Sequence, residues 1–93
     1  MMELFMNDNY KLLKLMYDNQ TTVLNKKVVP LTQLELSSEL NFSKMKTNAL
    51  FVELQKEGLI VQETRGKYSL TDRSETIIRA IEQLEKKLDL EKE

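Results

Sequence analysis

The stretch from residue 31 to residue 70 constrains the fold more than any other part of this chain. Thr32 is followed three residues later by Glu35, and this pair forms a capping box that starts a helix. The helix should end at Asn41. Its apolar side is predicted at helical spacing, with Leu34, Leu36 and Leu40 facing inward and Ser37, Ser38 and Glu39 left for solvent or close approach.

A second helix follows a tight turn. Phe42 is the apolar residue that fills this turn, and Ser43 is placed to cap the next helix. The buried face of that helix repeats at three and four residues and consists of Thr47, Leu50, Phe51 and Leu54. Gly58 ends the helix, because glycine enters the left-handed backbone region without a Cβ penalty.

After Gly58 the apolar period changes from helical to alternating, which is typical of a strand. A tight turn at residues 64–67 then reverses the chain, and Gly66 supplies the unusual backbone angles that the turn needs. Arg65 and Lys67 are therefore predicted at the tip of a projecting hairpin, which we call the wing.

The pattern LTQ-x-EL-xx-EL-x-FS, then LQKEGLI, then RGKY-x-LTD resembles the winged helix-turn-helix superfamily. Members include MarR-like bacterial regulators and small plasmid-borne DNA-binding proteins of the TubR and TcpK types. The resemblance covers roughly residues 30–75. It implies a mainly α fold with a small β-hairpin (α+β), and it implies double-stranded DNA as the partner.

The resemblance also implies which residues meet DNA, because the second helix of such a unit enters the major groove. Lys44 and Lys46 can meet phosphate or guanine, and Asn48 can pair with adenine. Ser43, at the start of the helix, can bind a phosphate through its hydroxyl and its backbone N–H.

This chain departs from the family pattern at Met45, Ala49 and Val52, which we call the apolar strip. Two interpretations remain open: the strip packs against thymine methyls or a protein partner, or the wing is the main DNA reader. Arg65 can enter a narrow A·T-rich minor groove, so we rank the wing above the helix for affinity. The alternative is that Arg65 and Lys67 only keep an exposed edge soluble.

The chain before the central stretch is predicted to begin with a buried helix. Its apolar stripe within residues 1–20 indicates core packing, and Asn7 or Asp8 is the expected cap. Residues 1–6 form an apolar lead-in, which is a candidate cover for part of a partner subunit.

Residues 21–30 show no clear helical period. Val28 and Val29 suit a short edge strand that pairs with the wing hairpin and ends at the proline that follows. Lys26 and Lys27 are predicted in the preceding loop as phosphate contacts. A solvated pair of loop lysines is the alternative.

The last helix begins at Thr71 or Asp72, and its apolar residues recur at four, three and four. This stripe is long for one small domain to bury, so it favours a homodimer, and the seam consists of Ile77, Ile81, Leu84 and Leu88. The alternative is that the helix folds back on Leu13 and Met16 of the same chain. We therefore divide the chain into a winged helix domain at 1–72 and a dimerisation helix at 73–93.

Composition narrows the function classes. The 93 residues contain no cysteine and no histidine, so the usual nucleophilic triads cannot be assembled and a metal site is not expected. Two glycines leave no phosphate-cradling loop. Neither an enzyme nor a cofactor is predicted. The chain shows no apolar run of membrane-spanning length and no signal segment, which predicts a cytoplasmic protein.

The net charge is −1, so DNA binding must rely on local clusters of basic residues rather than on the total. We predict a homodimer that binds double-stranded DNA, most simply as a small transcriptional regulator. One alternative is an accessory protein for plasmid partition or conjugative transfer. An alternative from another class is a protein-interaction module that docks through the apolar strip.

Overall fold

The computed structural model describes residues 7–92, and the predicted lead-in at 1–6 lies outside this range. In chain order the described elements are α1 (Asp8–Asp18), β1 (Thr21–Val23), β2 (Lys26–Val28), α2 (Gln33–Leu40), α3 (Lys44–Lys56), β3 (Ile60–Thr64), β4 (Lys67–Leu70) and α4 (Asp72–Lys92). This is a mainly helical α+β fold in which a helix-turn-helix, α2 and α3, is followed by a β-hairpin wing. The predicted fold class is confirmed.

Local capping sets the bounds of the helix-turn-helix. The Thr32 hydroxyl accepts a hydrogen bond from the Glu35 N–H at 3.1 Å, and the Glu35 carboxylate accepts one from the Thr32 N–H at 3.0 Å. Asn41 ends α2 in the left-handed region, with φ of 59°. The Ser43 hydroxyl then accepts from the Lys46 N–H at 3.0 Å and caps α3. All four predicted roles are confirmed.

The end of α3 directs the chain into the wing. Gly58 adopts φ of +72°, and its N–H donates to the Gln55 carbonyl at 3.1 Å. The Leu59 N–H donates to the Leu54 carbonyl at 2.9 Å. These two bonds are the Schellman pattern that glycine permits at this position, and β3 begins directly afterwards at Ile60.

The wing is an antiparallel pair in which Ile60 lies opposite Leu70 and Val61 opposite Ser69. The register shifts between Gln62 and Thr64, where a bulge interrupts the alternation. Gly66, with φ of +78°, lies in the turn as predicted.

The hydrophobic core contains residues from all four described helices and from both strands of the wing. Its buried apolar members are Tyr10, Leu12, Leu13, Met16, Val29, Leu36, Phe51, Leu54, Ile60, Tyr68 and Ile78. The prediction of which α2 residues face inward is partly wrong, because Leu34 is 57% exposed whereas Ser37 is buried. Two residues correspond to about 200° of helix rotation, so Leu34 and Leu36 point in nearly opposite directions. Burial of Ser37 is tolerated because its hydroxyl donates to the Leu34 carbonyl at 2.9 Å.

The prediction that Lys26 and Lys27 lie in a loop between α1 and α2 is wrong. This segment forms a hairpin in which Lys26 and Lys27 belong to β2. The two turn residues, Leu24 and Asn25, both have positive φ, 51° and 66°. The expected pairing with the wing is confirmed at Val29, which bridges Tyr68 and donates its N–H to the Tyr68 carbonyl at 2.8 Å.

Helix α4 packs antiparallel to α1. Lys14 of α1 bonds Glu82 of α4 at 2.8 Å and Asp18 of its own helix at 2.8 Å. Ile78 is fully buried, and Ile81 packs against the core. Part of the α4 stripe is therefore covered within one chain.

We expect Leu24→Asn to stabilise the protein by about 1 kcal/mol, because leucine in the left-handed region carries a steric cost that asparagine largely avoids. The Leu24 side chain is 95% exposed, so its removal sacrifices little packing. Chemical denaturation measures the change. Leu24→Ala, which removes the same exposed side chain but keeps the Cβ penalty, is the control and should leave stability nearly unchanged.

Candidate nucleic-acid interface

The N-terminal half of α3 is presented to solvent. Its core side is formed by Thr47, Phe51 and Leu54. Lys44, Met45 and Asn48 are exposed, and the first turn of α3 contains no acidic residue. A helix N-terminus carries partial positive charge, so Lys44 adds to a field that already attracts anions.

The Lys46 ammonium contacts two other side chains of this chain. It lies 2.6 Å from the Asp8 carboxylate on α1 and 4.2 Å from the centre of the Phe42 ring. The hydrogen bond from Lys46 holds the pKa of Asp8 below its ordinary value. Lys46 thus ties α3 to α1 and covers Phe42, which is half-buried in the turn.

The wing presents Arg65 and Lys67 at its tip, and both are exposed. Neither forms an ion pair with another described residue, and the same holds for Lys44. Within residues 7–92, these three side chains are the predicted DNA contacts whose cationic groups are not already engaged by carboxylates.

Tyr68 attaches the wing to the helix-turn-helix. Its ring lies 4.6 Å, centre to centre, from that of Phe51 on α3, and its hydroxyl accepts a hydrogen bond from the Gln33 amide at 2.9 Å. Lys44 and Arg65 each lie roughly 10 Å along their own elements from this contact, at 1.5 Å per helical and 3.3 Å per strand residue. The sequence did not single out Gln33 or Tyr68 as positioning residues, and only the strand alternation could have marked Tyr68 as buried.

Lys26 and Lys27 are largely exposed, but each also has an acidic partner. Lys26 lies 2.6 Å from Glu63 on β3, and Lys27 lies 3.8 Å from Glu75 on α4. The Ser69 hydroxyl also donates to Glu63 at 2.5 Å. Hydrogen bonds from Lys26 and then Ser69 hold the pKa of Glu63 below its ordinary value. These contacts pin the β1–β2 hairpin to the wing and to α4, and they balance the charge of both lysines.

A cavity of about 280 Å³ indents the surface between α2 and α3. It is lined by Gln33, Leu34, Ser37, Lys44, Thr47 and Asn48. Because Lys44 and Asn48 form part of its wall, both side chains have room to change rotamer towards a bound molecule.

The proposed seam on α4 is divided between exposed and half-buried residues. Ile77 and Leu84 are exposed, at 37% and 50%, and Ala80 between them is exposed as well. Ile81 and Leu88 are half-buried. An apolar line thus remains open along α4 after the helix has packed on α1.

Two other kinds of site are absent from the described part of the chain. No cluster of three or more histidine, cysteine or acidic residues there is arranged to hold a metal ion. No helix within residues 7–92 has the length and apolar character required to cross a membrane.

No protein-family model matches this sequence, and no curated protein matches it. Among solved structures, the chain is similar to the reduced (FeII) CO-sensing protein from R. rubrum, with a TM-score of 0.68 and 20% sequence identity. The match covers 85% of this chain and 39% of the other. This chain therefore spans about two fifths of that protein's length, and the likeness is one of fold.

Glu63→Gln should reduce the loss of stability in acid. The folded-state pKa of Glu63 lies below its ordinary value of 4.5, so the ionised form stabilises the fold. This contribution is present above about pH 4.5 and is lost as the pH falls through the folded-state value. Urea midpoints measured from neutral pH to pH 3 test this, with the exposed Glu53→Gln as the matched control. A variant whose acid limb matches that of the wild type would contradict the assignment.

Proposed function

We propose that this protein binds double-stranded DNA as a homodimer and acts as a small transcriptional regulator. The proposal rests on cationic side chains that form no ion pair with the described residues. They lie on two elements, α3 and the wing, that Tyr68 holds together. Lys44 lies at the start of α3 and Arg65 with Lys67 lies at the wing tip, and Tyr68 joins the two elements. A helix start and a hairpin tip of this kind suit adjacent grooves of a duplex.

The near-neutral net charge of −1 does not oppose this proposal. Attraction to phosphate acts over about 8–10 Å at physiological salt, so charges near the contact outweigh the total. Glu53 is the first acidic residue along α3, and Lys26 and Lys27 neutralise acids on the wing and α4. The negative charge is thus kept away from the contact or balanced locally.

Each candidate residue has a distinct proposed role. Lys44 contacts phosphate or guanine, and Asn48, one turn further on, pairs with adenine in the major groove. Ser43 keeps its backbone N–H available for a phosphate while its hydroxyl caps α3. Arg65 enters the minor groove, where its weakly hydrated guanidinium is favoured over lysine. We assign Lys46 to positioning, since it joins α3 to α1.

The dimer is proposed to form through α4. This helix has 21 residues and α1 has 11, so α1 cannot cover its full length. Ile77 and Leu84 remain exposed on the side that α1 leaves free. Two copies joined along this line would present equivalent α3 helices to half-sites about 34–36 Å apart, or one helical turn.

Arg65→Ala should weaken duplex binding about tenfold and lower the salt dependence of binding by about one phosphate contact. Fluorescence anisotropy across a salt series measures both quantities. The melting temperature should stay unchanged, because the Arg65 side chain has no described ion-pair partner. Lys86→Ala, which removes an exposed charge from α4, is the matched control. An equal loss in both variants would mean that net charge, and not the wing, governs affinity.

Leu84→Asp should convert the dimer to a monomer, since it places a charge in the apolar line of α4. Sedimentation velocity at several concentrations measures the change. Gln83→Asp introduces the same charge at the neighbouring exposed position and should remain dimeric. A Leu84→Asp protein that sediments as a dimer would exclude this seam.

A further inference from the structure

The apolar strip, Met45, Ala49 and Val52, lies along α3 within the candidate interface. Met45 is 83% exposed and Val52 is 59% exposed, and Ala49 between them is exposed as well. At 100° of rotation per residue, the three side chains fall within about 60° of one another. Their common direction lies about 160° from that of the buried trio Thr47, Phe51 and Leu54. The strip is therefore the outermost line of α3.

Polar neighbours frame this line on one side. Asn48 and Lys44 follow at roughly 70° and 110° from the centre of the strip by the same rotation, and both line the cavity between α2 and α3. The first turn of α3 contains no acidic residue. An occupant of the strip would therefore meet a hydrogen-bonding amide and a cation at its edge.

We propose that the strip contacts thymine methyl groups in the major groove of A·T-rich DNA. This inference rests on the proposed DNA binding and specifies its target class. The thymine C5-methyl is the apolar group that the major groove displays, and adenine offers the paired acceptor and donor that an asparagine amide matches. Asn48 would then contact adenine while the strip contacts thymine, so that one side of α3 recognises both bases of A·T pairs.

The charge around the strip favours DNA over a protein partner. Lys44 on α3 and the wing cations Arg65 and Lys67 suit a polyanion, whose phosphates run beside the groove that contains the methyl groups. A stable protein interface also involves about 20–30 residues on each side, whereas the strip contains three. The strip is thus the right size for a few methyl groups and small for a protein.

The test compares a short A·T-rich duplex with the same duplex in which uracil replaces every thymine. This replacement removes only the methyl groups and retains the base pairs, the phosphates and the minor-groove atoms. The wild-type protein should bind the uracil duplex more weakly, by about fourfold for each methyl group that is buried. The double variant Met45→Gln, Val52→Asn removes two of the three apolar side chains of the strip and should lose most of this preference.

Val23→Asn is the matched control, because Val23 is comparably exposed, at 52%, and lies on β1 outside the candidate interface. It should retain the preference for thymine. If the wild type binds both duplexes equally, the inference fails while the proposed DNA binding stands. If the double variant keeps the preference, other residues read the methyl groups and the inference also fails. A wild-type protein that retains neither duplex at low salt overturns the proposed function itself.

Discussion

Tyr68 is the point at which three parts of the molecule meet. Its carbonyl accepts the Val29 N–H, its ring packs on Phe51, and its hydroxyl accepts the Gln33 amide. Each bond alone contributes on the order of 1 kcal/mol, but together they fix the wing relative to both helices of the helix-turn-helix. This support helps to fix the position of the wing-tip cations relative to α3, which would preorganise the proposed two-groove contact.

Ion pairs reduce the basic surface that the sequence suggests. Long lysine side chains reach acids that are distant in the chain, as Lys26 reaches Glu63 and Lys27 reaches Glu75. A cation that already faces a carboxylate gains less from a phosphate, because it must first lose its partner. These pairs also hold the β1–β2 hairpin and offset negative charge on the wing and on α4, which would favour the proposed contact with DNA.

Features encoded by local geometry could be predicted from the sequence. The capping box at Thr32, the cap at Ser43 and the glycine end of α3 each depend on residues within one helical turn. The β1–β2 hairpin could not be predicted in this way, because its turn has a leucine, Leu24, where glycine or asparagine usually indicates a positive φ. The partners of Lys26 and Lys46 could not either, since tertiary packing determines which acids lie within reach.

Helix α4 contributes residues both to the core and to an exposed apolar line, and this links the proposed DNA affinity to the proposed dimer. Ile78 is wholly buried against the core while Leu84, less than two turns further on, is half exposed. One helix therefore stabilises the fold along one side and offers an apolar line along another. In the proposed complex, a single copy would bring Lys44, Arg65 and Lys67 to DNA, and each phosphate contact would add a salt-dependent increment to the binding free energy. Two copies joined through α4 would double that number of contacts, and the second copy would engage at a raised effective concentration. Under this proposal, assembly through α4 and retention on DNA are coupled.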